Sequence, residues 1–150
     1  MAVYECANCD RAEVLDSFVP DACSVCGGSM IASDEERARQ AAAIAEQNDR
    51  FRKTLNRDRS LAGRIVQTQG VDALGYQMHL KIAVALMEFD TFNEDNDPHG
   101  QHDYGVLTVD GQRFFWKIDY YDPQYEYGSD APHDPALTAR VLTVMLPSEY

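Results

Sequence analysis

The sequence predicts an α+β protein. It reads as an N-terminal zinc ribbon at 1–32, a connector helix at 33–62 and an acidic β-α-β-β-β domain at 63–150, with a mostly antiparallel sheet packed by one long helix. Three observations predict this. The cysteines fall in two C-x-x-C pairs; a stretch rich in Ala, Glu, Arg and Gln follows them; and beyond it one long amphipathic pattern precedes strand patterns, two of them joined by Asp110-Gly111.

The pairs are Cys6/Cys9 and Cys23/Cys26, with thirteen residues between them. Each C-x-x-C turn brings two thiolates to one side of a tight loop, and two such knuckles complete a tetrahedral four-cysteine site. Gly27 and Gly28 follow the second knuckle and supply the backbone freedom it needs. The segment between reads as a strand around Ala12–Leu15 and a turn at Pro20-Asp21. So small a module cannot fold on apolar burial alone, so bound metal supplies its folding free energy. The expectation is one structural Zn2+ per chain, closed to water and therefore not catalytic. Rubredoxin-type iron shares this ligand set. Two disulfides fit poorly with the lack of a secretory signal.

Ser33 and Glu36 form a capping-box pattern, and strong helix formers run from there to about Leu55. Its large apolar residues are few, namely Ile44, Phe51 and Leu55, so it reads as a spacer or a partner-binding arm. Its end turns basic through Arg50, Arg52, Lys53, Arg57, Arg59 and Arg64. A zinc ribbon beside such a stretch is a candidate for nucleic-acid contact, against the plainer reading of a solvated face paired with the chain's own acids.

In the larger domain a strand at 64–69 is followed by a helix from Asp72 to about Phe89. That helix carries Leu74, Met78, Ile82, Leu86 and Phe89 on one face, widened by Val84 and Met87. Strands at 104–109 and 113–121 flank the Asp110-Gly111 turn; Phe114, Trp116, Ile118 and Tyr120 share one face of the second. The last strand, 140–146, is apolar on both faces and belongs in the sheet's interior.

Charge narrows the function classes. The chain carries 25 acids against 13 bases, a net of −12. No Lys or Arg lies between Lys81 and Arg113, nor between Lys117 and Arg140, while acids fill both intervals. Such a surface repels a phosphate backbone and attracts a basic protein or a cation, so the expected partner is a basic protein. The start has no basic, apolar leader pattern, and the longest aliphatic run, 82–87, is far short of the ~20 residues of a membrane helix. A soluble, cytoplasmic protein is the expectation.

Residues 65–150 carry further landmarks: the run from Phe92 to Gly100, His102-Asp103, the run from Phe114 to Pro123, Glu126 to Gly128, and the closing strand through Glu149-Tyr150. In these the chain resembles an uncharacterised bacterial family, a domain of unknown function of the DUF 3768 type. The resemblance implies no activity. It implies a mobile-element setting, in which such a protein would oppose host defence, and it marks the ribbon as an appended module.

The loop at 94–103 holds four carboxylates and two imidazoles in ten residues. His99, His102 and Asp103, joined by Asp119, are candidates to hold a divalent metal that activates water, with Lys117 stabilising developing charge. The alternatives are a binding loop, or turns built by Asx side chains. Tyr120, Tyr121, Tyr125 and Tyr127 sit among acids nearby, and tyrosine among acids suits protein recognition. The candidate partner-binding residues are therefore Glu94, Asp95, Asp97, Tyr120, Tyr121, Tyr125, Glu126 and Tyr127. The sequence favours a non-enzymatic binding protein over a metal-dependent hydrolase.

Overall fold

A computed structural model describes residues 2–9, 12–15, 22–32 and 34–150. The expected turn at Pro20-Asp21 and the Ser33 cap lie outside the described residues. The chain divides into two compact units, 1–42 and 43–150.

The first unit holds a three-stranded antiparallel sheet of β1 (Ala2–Cys6), β2 (Ala12–Leu15) and β3 (Met30–Ala32), in the order β2-β1-β3. Helix α1 (Asp34–Lys53) begins in this unit with Asp34, Glu35 and Glu36 in its first turn, where they suit the helix dipole. The buried Tyr4 hydroxyl accepts from Gln40 Nε2 at 3.3 Å, and Gln40 also donates to Glu36 at 3.1 Å.

The unit boundary falls inside α1, and the second half of that helix is part of the larger unit's interior. Ile44, Ala45, Gln47, Asn48, Phe51 and Arg52 are all buried. This corrects the reading of α1 as a polar spacer: the stripe 44, 48, 51, 55 has helical spacing, but Asn48 breaks its apolar character. The helix ends where Leu55 and Asn56 turn left-handed at φ 49 and 62, with Asn56 Nδ2 donating to the Gly63 carbonyl at 2.8 Å.

The larger unit is a mixed four-stranded sheet, β4 (Ala62–Gln67), β5 (Tyr104–Val109), β6 (Gln112–Tyr121) and β7 (Ala139–Met145), in the order β4-β7-β6-β5. β7 pairs parallel with β4 and antiparallel with β6, and β6 pairs antiparallel with β5. As its two apolar faces predict, β7 lies in the interior of the sheet. Asp110 and Gly111 both take positive φ, 51 and 78, as a two-residue hairpin turn needs.

Two helices, not one, follow β4: α2 (Gln69–Asp72) and α3 (Tyr76–Glu88). Gly75, at φ 90, cannot continue a right-handed helix and separates them. Ile82 and Leu86 of α3 are buried, but Leu74 and Val84, expected in the core, are exposed. Phe114, Trp116 and Ile118 of β6 pack with Phe51, Leu142 and Val144, each side chain contributing about 1.5–3 kcal/mol by burial. Gly105 is required by packing, since a Cβ there would meet Trp116 Nε1 at 2.5 Å and Phe89 at 2.7 Å.

Candidate metal centre and acidic surface

Cys6 ends β1 and is paired with Met30 of β3, and the turns at 7–9 and 24–26 hold Cys9 and Cys26. Main-chain bonds from Ala7 N to Ser29 O (2.9 Å) and from Cys23 N to Gly28 O (2.8 Å) tie the two knuckles into shape. Gly27 supplies the left-handed turn residue, φ 72, and donates to Cys23 O. All four cysteines are free thiols, and their sulfur atoms lie within 4.8 Å of one another. Cys6 and Cys26 are 3.4 Å apart and Cys9 and Cys23 3.7 Å. A tetrahedral metal with sulfur at about 2.3 Å requires edges of about 3.8 Å, so the cluster matches a four-sulfur site. The backbone N–H groups of Cys26 and Val25 lower the Cys23 thiol to about 7, favouring the thiolate a metal needs. These four are the one group of three or more His, Cys, Asp and Glu ligands that converges among the described residues.

The loop between α3 and β5 is built by its own side chains. Asn93 Oδ1 accepts from the N–H groups of Asp95 and Asn96, and Asn96 Nδ2 donates to Thr91 O at 2.8 Å. Asp97 Oδ1 accepts from the N–H of both Gln101 and His102 at 3.0 Å. His102, at φ 55, lies with Nδ1 3.0 Å from both Asp49 oxygens and Nε2 3.5 Å from Asp97. Its ring stacks on Phe92 with centroids 3.9 Å apart. Tyr120 donates to Asp103 Oδ2 at 3.1 Å and accepts from Asn48 Nδ2 at 2.8 Å. Burial pushes the Asp103 carboxyl above the usual carboxylate range and the Tyr120 phenol above its own. Asp97 and Tyr120 thus bind inside the fold, and neither presents a free polar group to a partner.

The remaining candidates separate. His99, Asp103 and Lys117 line a groove of about 370 Å³ with Asp95 and Tyr104. Asp119 pairs with Lys117 at 3.1 Å and is not among the groove's lining residues. After β6, Asp122 folds a turn by accepting from the N–H groups of Gln124, Glu126 and Tyr127. Tyr121 bridges Gly128 across this turn, and Tyr125 lies under the Arg64 guanidinium at 4.2 Å. Glu126 and Tyr127 are exposed, as are Glu94 and Asp95.

The polar interior was the part sequence reasoning missed. Arg140, with no exposed surface, donates from Nε to Asn48 Oδ1 and from Nη2 to Gln47 Oε1, both at 2.7 Å, and to Pro132 O at 3.0 Å. Arg52 is equally buried; it donates to Leu86 O at 2.6 Å and to Asp49 at 3.2 Å, between the rings of Phe89, Phe92 and Trp116. The i, i+3 spacing of Asp49 and Arg52 was the available signal. With Arg52 buried, Arg50 paired with Glu46 and Asp58, and Arg64 over a tyrosine ring, Lys53, Arg57 and Arg59 remain as the exposed bases of this stretch.

A family model described as "Protein of unknown function (DUF3768)" matches residues 67–149, more than half of the chain. The chain belongs to this family. No curated protein matches the chain, and no solved structure does. The DUF3768 match begins at the end of β4, so the cysteine knuckles and α1 lie outside it. No helix among the described residues is long and apolar enough to cross a membrane.

Proposed function

We propose that the DUF3768 body is a non-enzymatic binding module that presents an acidic, tyrosine-bearing surface to a basic protein partner, and that the knuckles hold one structural zinc ion. The observation that carries the reading is where the body's own cations go. Of the five bases at 63–150, Arg64 and Arg113 lie over the rings of Tyr125 and Phe115, and Arg140 is buried against amide and carbonyl oxygens. Of these five, only Lys81 and Lys117 form ion pairs among the described residues, with Asp110 and Asp119; in the α1 half of the same unit Arg50 and Arg52 pair with Glu46, Asp58 and Asp49. Glu88, Asp90, Glu94, Asp95 and Glu126 are exposed and form no ion pair among the described residues. A surface whose charge is left uncompensated steers and selects an oppositely charged partner.

One version of this activity is inhibition of a host nucleic-acid-binding protein, with carboxylates standing in for backbone phosphates. A hydrolytic site has less support, because His102 lies between Asp49 and Asp97 while His99 and Asp103 line a groove whose lining does not include His102. For the cysteines, a closed set of four thiolates suits zinc in a structural role.

Capture from bacterial lysate on the immobilised full chain tests the reading. A basic protein is expected on the wild type and not on the Glu94→Lys/Asp95→Lys/Glu126→Lys variant. Recovery of the same protein on both, or of none on either, overturns it.

A further inference from the structure

β5 is an edge strand, and among the described residues no strand pairs with its outer side. Which of its groups face outward follows from the ladder. Ile118 N donates to Asp103 O at 2.8 Å, and Gly105 is opposite Trp116, Leu107 opposite Phe114 and Val109 opposite Gln112. Hydrogen-bonded pairs alternate along an antiparallel ladder, so Gly105, Leu107 and Val109 bond to β6. The N–H and C=O groups of Val106 and Thr108 therefore point away from the sheet.

Those two residues line a trench. A groove of about 440 Å³ runs between β5 and the end of α3, and a second of about 460 Å³ continues it toward Asp110. The two share Ala85, Glu88 and Thr108, so they form one continuous channel beside the open edge. Its α3 wall is the apolar surface that the core does not use, with Leu80 49% and Val84 47% exposed. Its rim carries Glu88 and Asp90 without ion pairs among the described residues, while Lys81 is already held by Asp110 at 2.6 Å. β5 itself holds no proline and no charge, the devices that normally protect an edge. The opposite edge strand, β4, carries Arg64.

We propose that the β5 edge is the docking strip of the acidic module, and that it takes an extended basic segment of the partner as a fifth strand. Main-chain bonds form to Val106 and Thr108. Side chains at alternate positions of the segment face α3: apolar ones lie against Leu80 and Val84, and cations further along that same face reach Glu88 and Asp90. A second copy of this chain is disfavoured as occupant by the net charge of −12 that each copy carries. This inference rests on the basic-partner reading and adds the place and the conformation of the bound segment.

The test uses the full chain with a nine-residue peptide that carries two valines and then two lysines at alternate positions with threonine between them, and the same peptide with glutamate for lysine as control. Amide hydrogen exchange at Val106 and Thr108 is expected to slow at least tenfold with the lysine peptide and to be unchanged with the glutamate peptide. Thr108→Pro removes an outward N–H without removing a bond to β6, and Glu88→Lys/Asp90→Lys reverses the rim. Both are expected to abolish the slowing while leaving the unfolding midpoint reported by Trp116 in place. Equal slowing with the glutamate peptide, or slowing without peptide that tracks a doubling of mass, overturns the proposal, the latter by giving the edge to a second copy. If the lysine peptide binds but perturbs only the 121–128 turn, the edge assignment fails and the basic-partner reading stands. If it perturbs no residue, both fail.

Discussion

Asn48→Ala is the most informative single substitution, because one buried amide joins α1, the loop and the sheet. Its Nδ2 donates to Gln101 O at 2.9 Å and to the Tyr120 hydroxyl at 2.8 Å, and its Oδ1 accepts from Arg140 Nε at 2.7 Å. Truncation leaves the Gln101 carbonyl orphaned, worth about 1–3 kcal/mol, and removes a charge-assisted bond from a buried guanidinium, worth about 1.5–3 kcal/mol. Arg140 keeps Gln47 and Pro132, and Tyr120 keeps Asp103, so the expected loss is about 4 kcal/mol rather than a collapse of the fold. Trp116 is the sole tryptophan and is fully buried in the larger unit, so its fluorescence reports that unit alone in urea. With a urea slope of about 2 kcal/mol per molar, the midpoint falls by about 2 M. Glu46→Ala, two residues away on the exposed side of the helix, is the control and should shift stability by less than about 0.5 kcal/mol. A midpoint change no larger for Asn48→Ala than for Glu46→Ala would refute the placement of α1 in the core.

Other substitutions probe separate parts. Gly105→Ala should cost about 1–3 kcal/mol by the same fluorescence measurement, since its Cβ collides with Trp116 and Phe89. Asp103 holds its proton more tightly when folded, so its contribution to stability falls as pH rises from the ordinary carboxylate range through its raised folded value. Asp103→Asn should therefore stabilise the protein at pH 7 and have little effect near pH 3.5, as read from urea midpoints at the two values. Elemental analysis should find one zinc per chain, lost on Cys23→Ser. Chelator should then remove the circular-dichroism signal of the β1–β3 sheet while the Trp116 midpoint holds.

What was legible in the sequence was local chemistry. The C-x-x-C spacing placed four sulfur atoms together, Asp110-Gly111 placed the hairpin, and alternation along β6 put Phe114, Trp116 and Ile118 inside. The same alternation also put Tyr120 on the inner face, though its hydroxyl suggested a surface role. What escaped was polar and long-range. Asn48 and Arg52 look like solvated helix residues until Arg140, 92 positions from Asn48, and a ring of three aromatics supply their partners. Gly75 was read through because a single glycine inside an apolar period is often tolerated, but its left-handed backbone ends one helix and starts another. The loop's carboxylates and imidazoles read as ligands or docking groups, against turns built by Asx side chains; Asn93, Asn96 and Asp97 bond to their own backbone as in the second reading, a choice that only the hydrogen-bond geometry makes.

The measurement closest to the proposed activity is the affinity between the purified chain and its captured partner across a salt series from about 50 to 500 mM, where screening shortens steeply. An exposed, unneutralised acidic surface predicts binding that weakens by orders of magnitude over that range, with a shallower slope for Glu94→Lys/Asp95→Lys/Glu126→Lys. Affinity independent of salt, or equal slopes for the two proteins, would contradict it.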